Sequence, residues 1–238
     1  MIPIRSFAIS ATIPEGRFTL MDNIEVSGMV ISSMPIGEYD RRLEILTADL
    51  GRISAFARGA RKPSSSLVSV SRPFAFGQFS LYRGKNSYSL SSAKISNYFE
   101  DISKDIIKTY YGFYFLELAC CFTREASPAK EELILLYQSL RALLSEKFDD
   151  RLVRAVYELK MVSLSGYAPD AEYIKSRRNL LSGTEYAYDF VLRTAPEKLY
   201  SFRLSEDVLS EFADLTKELI GLAADKEFNS LKLLETLL

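Results

Sequence analysis

The sequence changes its hydrophobic period near residue 100, and that change sets what the chain can fold into. From Ile24 to Phe99 there are five short runs: IEVSGMVISS, RLEILTA, RISAFARGA, RPFAFGQFSLYRG and YSLSSAKISNYF. They are rich in Val, Ile, Phe, Tyr and Ser and alternate with a period near two, as half-buried strands require. ADLGR and YRGKN read as tight turns, with Gly51 and Gly84 free to take positive φ. Gly77 inside the fourth run marks a bulge. In the third run Ile53, Ala55 and Ala57 make a small apolar face, and Ser54, Phe56 and Arg58 an aromatic and basic one.

Beyond Asp101 the period is helical. DISKDIIKTYYGFYFLELACCF carries Ile102, Ile106, Tyr110, Phe113 and Leu116 at helical spacing and is apolar almost all round after Tyr110, which predicts a central buried helix. SPAKEELILLYQSLRALLSE opens with Ser127 as N-cap, Pro128 in the first turn and then two glutamates. DDRLVRAVYELKMVSLSGY is acid-capped and ends at Gly166, and SEDVLSEFADLTKELIGLAAD repeats the Ser-plus-acid opening at Ser205. Residues 169–183 lack a period and read as a loop. Short strands followed by helices fit an α+β chain. A small closed barrel leaves few open edges, and the OB-fold is the common five-stranded barrel that binds polyanions. The expected architecture is an N-terminal five-stranded OB-fold barrel followed by an all-helical C-terminal domain.

Charge divides along the same line. The chain holds 30 Lys+Arg and 31 Asp+Glu, but the balance is +4 over residues 1–100 and −5 over the remainder. Between Asp49 and Glu100 there is no acidic residue, while Arg52, Arg58, Arg61, Lys62, Arg72, Arg83, Lys85 and Lys94 are all basic. Such asymmetry points to an anionic partner for the basic half. Phe56, Phe74, Phe76, Phe79, Tyr82 and Tyr88 are interleaved with these charges. Proteins that hold single strands need positive charge to follow phosphates and flat rings on which bases stack. Arg41, Arg42, Arg58, Arg61, Lys62, Arg72, Arg83 and Lys85 are therefore candidate phosphate contacts, and Phe56, Tyr82 and Tyr88 candidate stacking rings. The competing reading is a solvated surface with several of these rings in the core.

Much chemistry is excluded. With no histidine there is no Ser-His or Cys-His nucleophile pair and no imidazole base. The two cysteines, Cys120 and Cys121, are adjacent in apolar sequence and read as small core residues of a reduced, cytoplasmic protein. No apolar run reaches the roughly 18 residues of a membrane-spanning helix, and MIPIRSFAISATIPEG lacks the apolar core of a secretory signal. GQFSLYRGKN has the wrong glycine spacing for a phosphate loop and Asn86 where Ser or Thr would hold magnesium. Glu38 and Asp40 read as salt-bridge partners of Arg41 or Arg42 rather than as an acid–base pair. No enzyme activity is expected.

Taken in order, GEYDRRLEILTADLGRISAFARGARKPSSSLVSVSRPFAFGQFSLYRG, YELKMVSLSGYAPD and LYSFRLSEDVLSEF resemble the RecO family of bacterial recombination mediators. The resemblance covers residues 24–238. It implies an OB-fold domain over residues 23–99 and a helical domain over residues 100–238. It also implies binding of single- and double-stranded DNA, strand annealing, and recombinase loading with a RecR-like partner and the C-terminal tail of single-strand-binding protein. Such a protein acts in the cytoplasm, at the nucleoid. Alternatives from other classes are a protein–protein adaptor and an RNA-binding module. Many family members carry a four-cysteine zinc site after the Gly-Tyr-x-Pro turn, but here residues 168–184 hold no cysteine. No cofactor or metal is expected, and Lys175, Arg177 and Arg178 in this zinc-less loop are a candidate second basic patch. Family members start close to the first strand, so residues 1–22 read as an N-terminal extension, disordered or preceding the true start.

Overall fold

Alternation folds the third run as its side chains dictate. In β3 (Gly51–Ala57) Ile53, Ala55 and Ala57 are buried, while Arg52, Ser54 and Phe56 are only half-covered. The computed structural model describes residues 23–85 and 87–237, so the expected N-terminal extension, residues 1–22, lies outside the described residues. The other strands are β1 (Asn23–Ile36), β2 (Asp40–Thr47), β4 (Phe76–Arg83) and β5 (Tyr88–Asn97). A short helix, α1 (Leu67–Val70), which the sequence pattern does not announce, intervenes between β3 and β4. Its Val70 joins Val26, Val30, Leu43, Ile45, Ile53, Phe79 and Leu81 in the core enclosed by the strands. The register of β4 against β5 slips at Gly77, the expected bulge. A Cβ at Gly77 would stand 2.2 Å from the Lys94 carbonyl oxygen, so the close approach requires glycine.

The strands follow one another in the order β1-β2-β3-β5-β4. The expected OB-fold barrel needs correction at one seam. β2 and β4 flank β1, β3 pairs β2 and β5 pairs β4, all as antiparallel ladders. β3 and β5, by contrast, run parallel and meet through Ala55↔Tyr88 and Phe56↔Ser89 alone. The cause is where the strands start and stop. β5 begins beside Ala55 and β3 ends at Ala57, so the two edges overlap only briefly. The five strands close on one another, but the closing β3–β5 junction is a two-pair parallel seam, so the expected OB-fold barrel is corrected to a curled five-stranded sheet that closes only at that short seam.

The helices are α2 (Ile106–Phe122), α3 (Lys130–Leu143), α4 (Asp150–Leu164), α5 (Ala171–Arg177), α6 (Ser182–Arg193), α7 (Glu206–Ala223) and α8 (Asn229–Glu235). α2 is central, burying Tyr111, Tyr114, Phe115, Leu116, Leu118 and Ala119, and the Asp105 carboxylate caps it by accepting the Ile107 and Lys108 N–H groups. Asp149 caps α4, and Gly166, at φ +78°, ends it where the Tyr167 N–H donates to the Val162 carbonyl. The expected cap at Ser127 is not formed, and α3 starts at Lys130 without a side-chain cap. The preceding segment is held elsewhere: the Ala126 and Ala129 N–H groups donate to the Leu50 and Ala48 carbonyls of the β2–β3 turn. The stretch 168–184, expected to be a loop, contains α5, whose first turn is capped by Asp170 accepting the Tyr173 N–H.

The sheet and helices share apolar packing. Met29, Ile31, Leu46, Ala48 and Phe74 from the sheet side belong to the helical core, and the Phe74 and Phe113 rings lie 5.1 Å apart. Gly51, at φ +69°, docks its turn so tightly on residues 124–127 that a Cβ would meet the Arg124 carbonyl oxygen at 2.1 Å. Deeper in the helices, the fully buried Glu158 carboxylate accepts from Tyr114 Oη and Thr216 Oγ1, each at 2.7 Å, with Arg154 Nε at 3.6 Å. This network ties α2, α4 and α7 together.

Candidate nucleic-acid interface

Cross-strand register assembles a row of side chains on the outer face of the sheet. Arg42 of β2 stands opposite Phe56 of β3, Phe56 opposite Ser89 of β5, and Ser89 opposite Tyr82 of β4. Each alternates with a buried neighbour, Leu43, Ala55, Leu90 or Leu81, so each points away from the enclosed core. Phe56 and Tyr82 are therefore two strand spacings apart, roughly 10 Å along the row. Arg42 is exposed, Phe56 is half-buried and Tyr82 is 45% exposed. Arg42 Nε donates to Ser54 Oγ at 3.0 Å, and its guanidinium lies 3.5 Å from Glu44, which also binds Arg52 at 3.3 Å. Arg52 in turn donates to the Thr123 carbonyl at the end of α2, so it serves the joint with the helices.

Two connections bracket this row. The β3–α1 loop is clasped to the β1–β2 turn: the Gly59 N–H donates to Asp40 Oδ1 at 2.7 Å, the Arg61 N–H to the Tyr39 carbonyl at 2.8 Å and Arg61 Nη1 to the Gly37 carbonyl at 3.1 Å. Lys62 Nζ lies 5.1 Å from the centre of the Tyr39 ring. Asp40 thus caps a loop instead of pairing with Arg41 or Arg42, and part of the Arg61 guanidinium is committed to holding the turn. Arg58 is exposed and has no ion pair or side-chain hydrogen bond among the described residues, and the same holds for Lys85 in the β4–β5 turn. Arg83 ends β4 opposite Tyr88.

The remaining candidates are placed elsewhere. Arg41 alternates to the face opposite Arg42, where its Nη1 donates to Ser33 Oγ at 3.0 Å. Tyr88 is 7% exposed in the sheet core and offers no face to a base. Arg72 is exposed but belongs to the segment that pairs with Val30 near the helical joint. In the second patch, both ends of the Arg178 guanidinium are bound by Glu218 of α7, Lys175 lies 3.9 Å from Glu172, and Arg177 lies 5.7 Å from the centre of the Tyr173 ring. Hydrogen bonding to Glu218 and the charge of that carboxylate hold the Arg178 guanidinium protonated more firmly than usual. Arg178 fastens the end of α5 to α7, while the contacts of Lys175 and Arg177 stay within α5.

Comparison with known sequences agrees with this division. Residues 21–99 match the family model described as Recombination protein O N terminal, and residues 103–173 the one described as Recombination protein O C terminal. A DNA repair protein RecO of Acetivibrio thermocellus is 26% identical across 91% of this chain and 98% of its own length. One from Caldicellulosiruptor saccharolyticus is 30% identical across 71% of this chain and 69% of its own length. The chain belongs to the RecO family. As a RecO-family protein it is a recombination mediator and not an enzyme.

The zinc site of some RecO proteins does not fit the residues present. Cys120 and Cys121 are the sole cysteines in the sequence, both on α2, and burial pushes the Cys120 thiol up to about 11. Among the described residues no group of three or more His, Cys, Asp or Glu side chains could hold a metal ion. Residues 168–184 are held by Arg178–Glu218, by Tyr188 Oη donating to the Pro169 carbonyl and by the Leu181 N–H donating to Glu211. Among the described residues no helix is long and apolar enough to cross a membrane. The sequence pattern puts Ser54 on the outward face of β3 but does not single out Ser89, which the fold brings between the two rings. The outward position of Ser89 in an alternating run is its one local signal.

Proposed function

We propose that this RecO-family protein binds single- and double-stranded DNA on the outer face of its sheet and anneals complementary strands there. In this reading it also helps load recombinase onto strands coated by single-strand-binding protein, with a RecR-like partner and the C-terminal tail of the coating protein, in the cytoplasm at the nucleoid. The observation that carries the reading is the row Arg42–Phe56–Ser89–Tyr82, with the exposed cations of two connections beside it. A cation beside two rings separated by a small hydroxyl residue supplies both things a strand needs, neutralised phosphates and surfaces for bases. Annealing follows when one surface neutralises two strands without reading their sequence. The test is fluorescence anisotropy with labelled single-stranded and duplex oligonucleotides, alongside the rate at which complementary strands anneal. Binding that weakens steeply with salt and faster annealing in the presence of the protein support the reading. No binding to either oligonucleotide at low salt overturns it.

A further inference from the structure

The tip of the β1–β2 hairpin exposes apolar side chains that the phosphate-binding account does not use. Met34 is 51% exposed, Ile36 42% and Tyr39 45%. Met34 and Ile36 are two residues apart on β1 and share a face, and Met34 stands opposite Arg42. The row of the candidate interface therefore continues as Met34–Arg42–Phe56–Ser89–Tyr82. The hairpin projects beyond the packed core, since Met34, Pro35 and Ile36 are all exposed on consecutive positions. It is nonetheless held firmly, by the Gly59–Asp40, Arg61–Tyr39 and Arg61–Gly37 hydrogen bonds and by Lys62 over Tyr39.

Exposed apolar groups among cations suit an anionic partner that also has an apolar part. A phosphate backbone offers charge alone, and a paired base hides its faces in the stack. Unpaired bases present flat apolar faces within reach of phosphates, and apolar side chains also enter opened base steps. We infer that Met34, Ile36 and Tyr39 form a base-contacting edge that takes unpaired nucleobases and biases the surface toward single strands over duplex. Arg42, Arg58 and Lys62 supply the charge complementarity. The hairpin's fixed geometry lowers the ordering cost of binding. This inference rests on the nucleic-acid reading above and deepens it by naming the form of strand preferred.

The test compares the full chain with the double variant Met34→Ser/Ile36→Ser, using a labelled single strand and a duplex of equal length over a range of salt. The variant is expected to lose about tenfold in single-strand affinity and less than about twofold in duplex affinity, with the salt slope unchanged. An equal loss on both substrates, or no loss on either, overturns the inference while wild-type binding leaves the nucleic-acid reading standing. A wild-type chain that binds neither substrate overturns both. Should the double variant lack a cooperative thermal transition, Ile36→Ser alone carries the same comparison, with the same two outcomes deciding it.

Discussion

Phe56 of β3 and Tyr82 of β4 stand on opposite sides of one residue, Ser89 of β5, in a single cross-strand row. They are far apart in sequence and are joined only because β5 lies between their strands. A small side chain between two rings leaves room for a base against either. Tyr82→Ala and Phe56→Ala are each expected to weaken single-strand binding roughly five- to a hundredfold. Tyr88→Phe, a change in the core, should leave affinity unaltered. Anisotropy titrations with one oligonucleotide at fixed salt check all three.

The second basic patch makes the opposite prediction. Because Arg178 is bound by Glu218 and Lys175 sits near Glu172, replacing Lys175, Arg177 and Arg178 by Ala should not change the salt slope of DNA binding. Hydrogen bonding to Arg178 lowers the Glu218 carboxyl below its usual value. A lowered carboxyl contributes stability that is present above its unfolded value and lost as pH falls through the folded one. Removing Arg178 should therefore cost within about 1 kcal/mol at neutral pH, as exposed pairs do, and nothing in strong acid. Urea melts at two pH values measure it.

Glu158 carries the reverse sign. Burial raises its carboxyl, against the lowering effects of Arg154, Tyr114 and Thr216. Since the folded state holds the proton more tightly than the unfolded chain, this group's contribution is full below the unfolded value of about 4.3 and falls as pH rises through the raised one. The stability advantage of the wild type over Glu158→Gln should narrow between acid and neutral pH. Glu158→Ala, which strands the Arg154 charge and two hydroxyls, should cost about 3–5 kcal/mol in urea unfolding.

Gly51 tests the joint between sheet and helices. An alanine there would take a positive φ and drive its Cβ into the Arg124 and Ser127 carbonyl oxygens. Gly51→Ala is expected to cost about 2 kcal/mol or more and to lower the urea midpoint without altering the charge of the Arg42–Phe56–Ser89–Tyr82 row.

What the sequence could disclose follows from the range of each signal. Alternation is local, so the buried Ile53, Ala55 and Ala57 and the outward Phe56 were legible, as was the bulge at Gly77. Register is not local. That Arg41 and Arg42 part company follows from alternation once β2 is drawn, but nothing near Phe56 announces Ser89 beside it. Tyr88 looks equivalent to Tyr82 in sequence, yet it begins a strand against Ala55 and turns inward. The missing cap at Ser127 has the same origin, since a distant turn at Ala48–Leu50 holds that segment. The RecO family resemblance rested on the order of several short motifs, which survives where register and burial are invisible.

The central claim is that the two flanking connections and the row between them bind one strand. Arg58 and Lys85 come from the two connections, are exposed and lack described partners, so Arg58→Ala/Lys85→Ala should fold normally. The decisive measurement is the slope of log affinity against log salt for a single-stranded oligonucleotide, wild type against this double variant. Each single-strand phosphate neutralised contributes about −0.7 to the slope, so losing two contacts should flatten it by about 1.4 and weaken binding at low salt. A slope identical to that of the wild type would contradict the account.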